Sequence, residues 1–238
     1  MRYLLILTIS ILIFSCSSHK NTTKDLEKIG LNGKIKSLKF DHERNNAESE
    51  NENVYFIENE FYFNQKGFIS EQRQYSSDGL IQIHNFNYDN NDLLISKTYF
   101  DASKKFMSKS KIENELNHNG KLIKQSEYRA LGNSLTDSIN LKYSVFPDQI
   151  TEFFYDSSWN LTKYNSYNRA SSFIKEVTEL RDGKIANNST IVISNGEIFS
   201  ETSYSCVKYD SKKNCQRYRV IENDSTESFF NLKIEYYK

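Results

Sequence analysis

Three cysteines are the residues whose type and position point most directly to covalent chemistry in this sequence of 238 residues. Cys16 follows a short apolar stretch near the start, whereas Cys206 and Cys215 lie close together near the end. A cysteine directly after an apolar leader is a site for acylation. Two cysteines near one turn can form a disulfide in an oxidising compartment. The segments that must position these residues are a leader, a polar tether and a long repetitive body.

Residues 1–15 predict a secretory signal peptide, because Arg2 precedes an apolar run that ends at a small residue, Ser15. A membrane-spanning helix needs about 20 apolar residues, so this run is too short. The segment Ile13-Phe14-Ser15-Cys16 resembles the lipobox of bacterial lipoproteins, although Phe14 is bulkier than the usual residue there. The resemblance implies cleavage before Cys16 and lipid on that cysteine. The alternative is an ordinary signal peptide with an incidental cysteine.

The resemblance to lipoproteins also implies a domain order and a location. Residues 16–28 are polar without periodicity, so we expect a flexible tether between the lipid and a folded domain at 29–238. Each buried acyl methylene contributes about 0.8 kcal/mol, so two or three chains would make attachment to the membrane permanent. No acidic cluster directly follows Cys16. We therefore expect a periplasm-facing lipoprotein of the outer membrane, with the cell surface as the alternative.

The composition excludes some partners. The 31 Lys and Arg residues balance the 31 Asp and Glu residues, so there is no basic excess to predict binding to nucleic acid. The aromatic content of 14% is too high for a disordered chain. A hydrophobic content of 37% suits sheets with much solvent-facing area. The acidic run at 45–52 is predicted to be a long hairpin loop.

A repeat of paired strands organises the body. Phe61-Tyr62-Phe63-Asn64 precedes three turn residues and an apolar pair, and similar patterns recur every 24 to 28 residues. The predicted turns begin at Asn64, Asp89, Asn117, Ser144, Asn168 and Ser194, with a last copy at Asp210. Secondary turns are predicted at 76–79, 101–104, 131–134, 157–160 and 181–184. Asn, Asp and Gly tolerate the left-handed backbone of tight turns, so this spacing predicts consecutive hairpins.

The segments between these turns alternate apolar and polar residues. In 228–237, Phe230, Leu232, Ile234 and Tyr236 share one face. The pattern predicts an all-β fold, with roughly thirteen to fifteen antiparallel strands in a twisted, curved meander. A signal-peptide helix would precede it. Whether the sheet is open, sandwiched or closed is not determined by the pattern.

The repeat resembles the YD repeat of Rhs-type proteins and of small bacterial lipoproteins of unknown function, over about residues 30–237. Tyr209-Asp210-Ser211-Lys212-Lys213-Asn214-Cys215 and Leu232-Lys233-Ile234-Glu235-Tyr236-Tyr237 carry the resemblance. Lys213 and Cys215 replace the Gly and Trp of the usual pattern. The opening Gly33-Lys34-Ile35-Lys36-Ser37-Leu38 also fits such lipoproteins. The resemblance implies a β-meander scaffold and no chemistry.

No catalytic constellation is found in the sequence. The four histidines, at 19, 42, 84 and 118, have no acidic or cysteine neighbour at metal-ligand spacing. The sequence also contains no HExxH, CxxC or GxSxG motif. Each histidine is therefore interpreted as a surface strand or turn residue. We predict no catalytic residues, no metal site and no cofactor.

Cys206 and Cys215 flank the turn at Asp210, and two registers are open. A hairpin centred between Asp210 and Ser211 would place the two cysteines opposite each other, where a disulfide could form. A wider turn would place Lys208 opposite Cys215 and leave Cys206 out of register. In that case both would be small apolar strand residues.

Three functions are compatible with these features. The favoured hypothesis is a non-enzymatic, membrane-anchored binding or scaffold module whose partner is an envelope protein or a glycan. A carrier or chaperone for lipid or lipoproteins would need an apolar concave face, and an immunity protein against a toxin would need a charged edge. The aromatic stripes are interpreted as cross-strand packing, worth about 0.2–1 kcal/mol per pair. An exposed tyrosine platform for sugars is the alternative.

Overall fold

The computed structural model describes residues 31–42, 58–131, 141–158, 161–168, 174–181, 184–194, 197–223 and 226–238. Its regular elements are the strands β1 Ile35–His42, β2 Glu58–Phe63, β3 Ile69–Ser76, β4 Gly79–Tyr88, β5 Leu94–Asp101, β6 Phe106–Leu116, β7 Leu122–Leu131, β8 Lys142–Tyr143, β9 Gln149–Tyr155, β10 Leu161–Asn168, β11 Ile174–Arg181, β12 Lys184–Ser194, β13 Glu197–Tyr209, β14 Cys215–Glu222 and β15 Thr226–Tyr236. No helix with the length and hydropathy of a membrane-spanning segment occurs within these ranges. The predicted signal peptide, the tether at 16–28 and the acidic loop at 45–52 lie outside them.

The strands pair antiparallel, mostly with their neighbours in sequence, which confirms the predicted all-β meander. The first and last strands also pair, from Ile35 opposite Tyr236 to His42 opposite Phe230. β7 pairs with β6 on one side and with β9 on the other. The short β8 adds two residues to the end of β7. The other fourteen strands therefore each have two neighbours, and the ladder returns to the strand from which it starts.

Five described hairpins use the same five-residue turn, which begins at Asn64, Asp89, Asp101, Asn117 or Asp210. The first amide donates to the fifth carbonyl at 2.8–3.0 Å, and the fourth amide donates to the first carbonyl at 2.9–3.1 Å. The Oδ1 atom of the first residue accepts the third and fifth amides at 2.8–3.1 Å. Only a short side chain with an acceptor oxygen reaches both amides, which explains why each turn begins with Asn or Asp.

The fourth residue of each turn has a left-handed backbone. Its φ angle is 89° at Gly67, 72° at Gly120, 62° at Asp92, 65° at Lys104 and 63° at Lys213. This conformation costs a residue with a Cβ atom about 1 kcal/mol, so the two lysines are strained where glycine would not be. The five-residue turn adds one residue to one side of each hairpin. This produces a register shift beside each turn, as in a β-bulge.

The antiparallel strands place their connections at two ends of the sheet. The entry end, where the described chain begins at Leu31, carries the turns at 64–68, 89–93, 117–121 and 210–214. The far end carries the connections at 76–79, 101–105 and 144–148.

The repeat changes ends between β7 and β9, which the sequence pattern did not indicate. Asn64, Asp89 and Asn117 begin turns at the entry end, whereas Ser144 lies at the far end and does not begin a turn of this class. Between β7 and β9, the described residues 141–148 contribute the two-residue β8, and the repeat is displaced by half a period after it. Asp101, predicted to start a secondary turn, has the same geometry as the primary turns.

The main apolar core lies at the entry end between β15, β1 and β2. Leu31, Ile35, Leu38, Phe63 and Leu232 are buried there, with exposed fractions of 0–6%. Five partly buried apolar residues pack against them: Phe61, Ile69, Tyr218, Ile234 and Tyr236. The predicted shared face of Leu232, Ile234 and Tyr236 thus supplies part of this core. The core joins the start of the described chain to its end.

Candidate functional site

A cluster of buried and partly buried polar side chains crosses four neighbouring strands away from the apolar core. We call Glu127, Lys97, Tyr99, Ser110 and His84 the Glu127 cluster. His84 on β4 lies opposite Tyr99 on β5, and Lys97 on β5 lies opposite Ser110 on β6. Lys97 and Tyr99 are two residues apart and therefore point to the same face of the sheet. Glu127 reaches this face from β7.

A small residue at the centre makes the cluster possible. Ser110 is fully buried, and its short side chain leaves room for Lys97 and Glu127 to meet across β6. The Lys97 Nζ atom lies 2.5 Å from Glu127 Oε2. Tyr99 donates its hydroxyl proton to Glu127 Oε1 at 2.8 Å, and Ser110 donates to the Tyr99 oxygen at 3.4 Å. The carboxylate is therefore satisfied by one cation and one hydroxyl.

The environment keeps Glu127 ionised at neutral pH. Burial by itself raises the pKa of Glu127, because a buried carboxylate loses its hydration. The charge of Lys97 and the hydrogen bonds that the carboxylate accepts from Lys97 and Tyr99 outweigh this, so the net pKa lies below its ordinary value.

The same environment keeps Tyr99 and His84 neutral. Burial and the nearby negative charge of Glu127 raise the pKa of Tyr99. Burial and the nearby positive charge of Lys97 lower the pKa of His84. The His84 ring meets the Tyr99 ring edge-on with centroids 4.7 Å apart, and its Nε2 atom is buried without a hydrogen-bond partner. His84 is thus half-buried, and its interpretation as a surface residue is wrong.

The chemistry of the Glu127 cluster is that of a structural ion pair. A general acid or base works best with a pKa near the working pH. The pKa values of Glu127 and His84 are lowered and that of Tyr99 is raised, so all three are moved away from neutrality. The cluster can hold β4 to β7 together, and its arrangement does not favour proton transfer.

A second polar cluster fixes the point where the described chain enters the sheet. Asn214 is fully buried, and its side-chain amide accepts from the Asn32 amide at 2.6 Å and donates to the Asn32 carbonyl at 2.9 Å. It also donates to the Tyr236 hydroxyl at 2.7 Å, and Tyr236 in turn donates to Asp210. Asn214 thereby ties the entering segment to the last strand and to the 210–214 turn.

The two cysteines beside this turn form a disulfide, with their Cα atoms 5.7 Å apart. Neither of the two registers considered from the sequence occurs. Tyr209 lies opposite Cys215, and Cys206 lies opposite Tyr218. Two register shifts, on either side of Lys208, bring Cys206 back within bonding distance of Cys215.

Aromatic rings on the other face of the sheet are covered by cations. The Arg73 guanidinium lies 4.5 Å from the centroid of the Tyr62 ring, and Lys39 Nζ lies 5.6 Å from that of Tyr75. Arg217 covers Phe229 at 4.4 Å. Ring faces that are already occupied favour cross-strand packing over an open platform for sugars.

The predicted lipidation site, Cys16, lies outside the described residues. In the described part of the chain, no group of three or more His, Cys, Asp or Glu side chains could hold a metal ion. His118 lies in the turn that begins at Asn117, as expected for a turn residue.

Sequence reasoning missed the Glu127 cluster. Lys97 and Glu127 are 30 residues apart, and two hairpin turns separate them. Their meeting depends on registers that no local pattern specifies. The sequence separation of Lys97 and Glu127 is close to the repeat period, and residues one period apart lie on strands that are close in the sheet. The repeat period was therefore the signal that could have indicated this pair.

No family model matches the chain, and no curated protein matches it. Among solved structures, a porin-like protein from Bacteroides uniformis is similar over 84% of this chain and 98% of its own, with 10% identity and a TM-score of 0.34. The TcdB2-TccC3-TEV structure is similar over 74% of this chain, with 9% identity and a TM-score of 0.23. That alignment covers 11% of the second protein. Neither likeness is strong enough to support an argument about function.

Proposed function

We propose that this chain is a non-catalytic binding or scaffold module that lipid on Cys16 attaches to the cell envelope. Its partner would be an envelope protein or a glycan. The observation that carries the non-catalytic part is the Glu127 cluster, whose buried polar groups are paired mainly with each other. Their pKa values are moved away from neutrality, as expected of groups that hold strands together.

A lipid or lipoprotein carrier is the second candidate. It would need an apolar concave face that is open to solvent. The apolar core at the entry end is instead tightly filled, since Ile35 and Leu38 expose 0% and 1% of their surface. This observation favours the binding module over the carrier. The immunity hypothesis depends on the acidic run at 45–52, outside the described residues.

The anchor is tested by mass spectrometry of the mature N-terminus. The proposal predicts that the chain begins at Cys16 and carries diacylglycerol on its sulfur, and that a C16S variant leaves the membrane fraction. An unmodified Cys16, or cleavage at another position, would contradict it.

The binding role is tested by affinity purification of the lipidated protein from detergent-solubilised envelopes, with the C16S variant as the control. We expect one envelope component to be recovered with the lipidated protein in a fixed ratio. Recovery of bound lipid alone would favour the carrier, and recovery of a toxin domain would favour the immunity protein.

A further inference from the structure

The described chain enters the sheet at one fixed point beside the 210–214 turn. Leu31 is only 5% exposed, and the Asn32 backbone makes two hydrogen bonds with the Asn214 side chain. Residues 17–30 separate this point from Cys16. A random coil of that length would span roughly 20 Å, and even a fully extended chain would span no more than about 50 Å. Lipid on Cys16 would therefore keep this end of the sheet near the membrane.

Three exposed lysines surround the entry point: Lys34, Lys208 and Lys213. We call them the entry lysines. Lys213 lies in the turn and Lys208 shortly before it, whereas Lys34 follows the segment that the turn holds. The turn and this segment are in close contact, because a Cβ atom added to Gly33 would lie 3.6 Å from the Lys212 Cδ atom. Three positive charges are thus gathered where the chain leaves the sheet toward Cys16.

The acidic groups beside the entry lysines already have other partners. The Asp210 carboxylate accepts the Tyr236 hydroxyl and two amides of its own turn, and its charge is offset by the adjacent Lys212. Glu235 forms an ion pair with Lys36 at 3.4 Å. No entry lysine forms an ion pair with a residue that the structure describes. The balanced total charge of the chain therefore conceals a local positive excess.

An exposed tyrosine accompanies these charges. Tyr209 directly precedes the turn and is 55% exposed, and Val207 is 48% exposed. Tyrosine is enriched where a membrane meets water, because its ring is apolar and its hydroxyl is polar. Each lysine near an anionic leaflet strengthens attachment about fivefold. Lysines beside an exposed tyrosine therefore fit the phosphate and acyl boundary of an anionic phospholipid leaflet.

We propose that the entry lysines and Tyr209 rest on the anionic phospholipid leaflet that holds the lipid anchor. This inference rests on the proposed function, because lipid on Cys16 brings the surface to the membrane. The tether already confines the domain near the leaflet, so contacts too weak to bind a free protein suffice. Three lysines would favour the membrane contact about a hundredfold. The far end of the sheet then points away from the membrane.

The test is photocrosslinking of the full lipidated chain in vesicles of phosphatidylethanolamine and phosphatidylglycerol. p-Benzoylphenylalanine replaces Tyr209 in one sample and Ile198 in the control, which is 65% exposed at the other end of the same strand, β13. We expect at least tenfold more phospholipid adduct from position 209 than from position 198. Replacement of phosphatidylglycerol by phosphatidylcholine should lower the yield at position 209, because the leaflet loses its negative charge.

Charge variants show whether the entry lysines cause the contact. K34E/K208E/K213E should lower the adduct yield at position 209 at least tenfold. The matched control K104E/K105E/K142E makes the same change in net charge at the far end and should leave the yield unchanged. K34R/K208R/K213R keeps the charges and should retain the yield. Thermal melting first shows that each variant is folded.

The outcomes separate this inference from the proposed function. Equal yields at positions 209 and 198, or a yield at position 209 that K34E/K208E/K213E does not change, overturn the membrane contact. They leave the anchor standing when mass spectrometry finds lipid on Cys16. An unmodified Cys16 overturns the anchor and the membrane contact together. Adducts of position 209 with protein alone would also overturn the membrane contact.

Discussion

The strand β7 carries a buried charged side chain and holds an exposed apolar loop, so the two regions differ in what they expose to solvent. Glu127 is 7% exposed, and its side chain forms an ion pair with Lys97. The carbonyl of the same residue accepts the Asp148 amide, which helps to hold a loop whose Phe146 is mostly exposed. The charged group is thus buried and the apolar group is displayed, contrary to the usual preference of each.

The difference separates what stabilises this sheet from what lies at its surface. Buried ion pairs are costly to desolvate, so Glu127 and Lys97 depend on each other. The 144–148 loop instead adds little burial, and its hydrogen bonds fix a shape. Changes to the Glu127 pair should therefore alter folding strongly, and changes to the side chains of Val145 and Phe146 should alter it little.

The largest effect is expected for E127A, which leaves Lys97 without its partner in a mostly buried position. Breaking a buried pair costs about 3–5 kcal/mol, so the free energy of unfolding should fall by about that amount. Urea unfolding measures it. The double variant K97M/E127L removes both charges and should cost much less. Equal losses for the single and double variants would show that the pair itself is not the cause.

Reduction of the disulfide should have the next largest effect. A bond that closes a loop with a sequence separation of 9 stabilises a fold by about 2–3 kcal/mol, mainly through the unfolded state. Reductant should lower the wild-type unfolding free energy by that amount and leave C206S/C215S unchanged. A loss of stability in C206S/C215S on addition of reductant would show that the reductant acts at another site.

The pH dependence of stability should also report on the Glu127 pair. The pKa of Glu127 in the fold lies below its ordinary value of 4.5. Its stabilisation is therefore present above that value and is lost as the pH falls through the lower, folded pKa. Between about pH 6 and about pH 3, wild type should lose more unfolding free energy than K97M/E127L. His84 is present in both proteins, so its own titration largely cancels. Parallel pH curves would contradict the account.

Smaller effects are expected at the turns. K104G should raise the unfolding free energy by about 0.5–1 kcal/mol, because φ at this position is 65° and glycine accepts it without strain. G67A is the matched opposite, at a φ of 89°, and should lower stability by about 1 kcal/mol. Thermal melts of both variants test this, and a loss of stability in K104G would show that the Lys104 side chain has another role.

The smallest effect on folding is expected for V145S/F146S. These side chains are exposed, so the change in unfolding free energy should stay within about 0.5 kcal/mol of wild type. Urea unfolding beside E127A gives a direct comparison of the two regions. A loss of several kcal/mol would show that these two side chains stabilise the fold despite their exposure.

The sequence indicated the local features of the fold and not its long-range pairings. Asn64 and Asp210 were identified as turn residues because their side chains act on amides only a few positions away. The change of ends between β7 and β9, where β8 has two residues, is not indicated by the composition. The bond between Cys206 and Cys215 depends on register shifts around Lys208. The Glu127 cluster depends on four strands in register, so it became visible only in three dimensions.

The central claim is that β7 buries a structural ion pair between Glu127 and Lys97. The most direct test is urea unfolding of K97M, E127L and K97M/E127L beside wild type. The account predicts that each single variant loses about 3–5 kcal/mol of unfolding free energy and that the double variant loses much less. A loss in the double variant equal to the sum of the two single losses would contradict it.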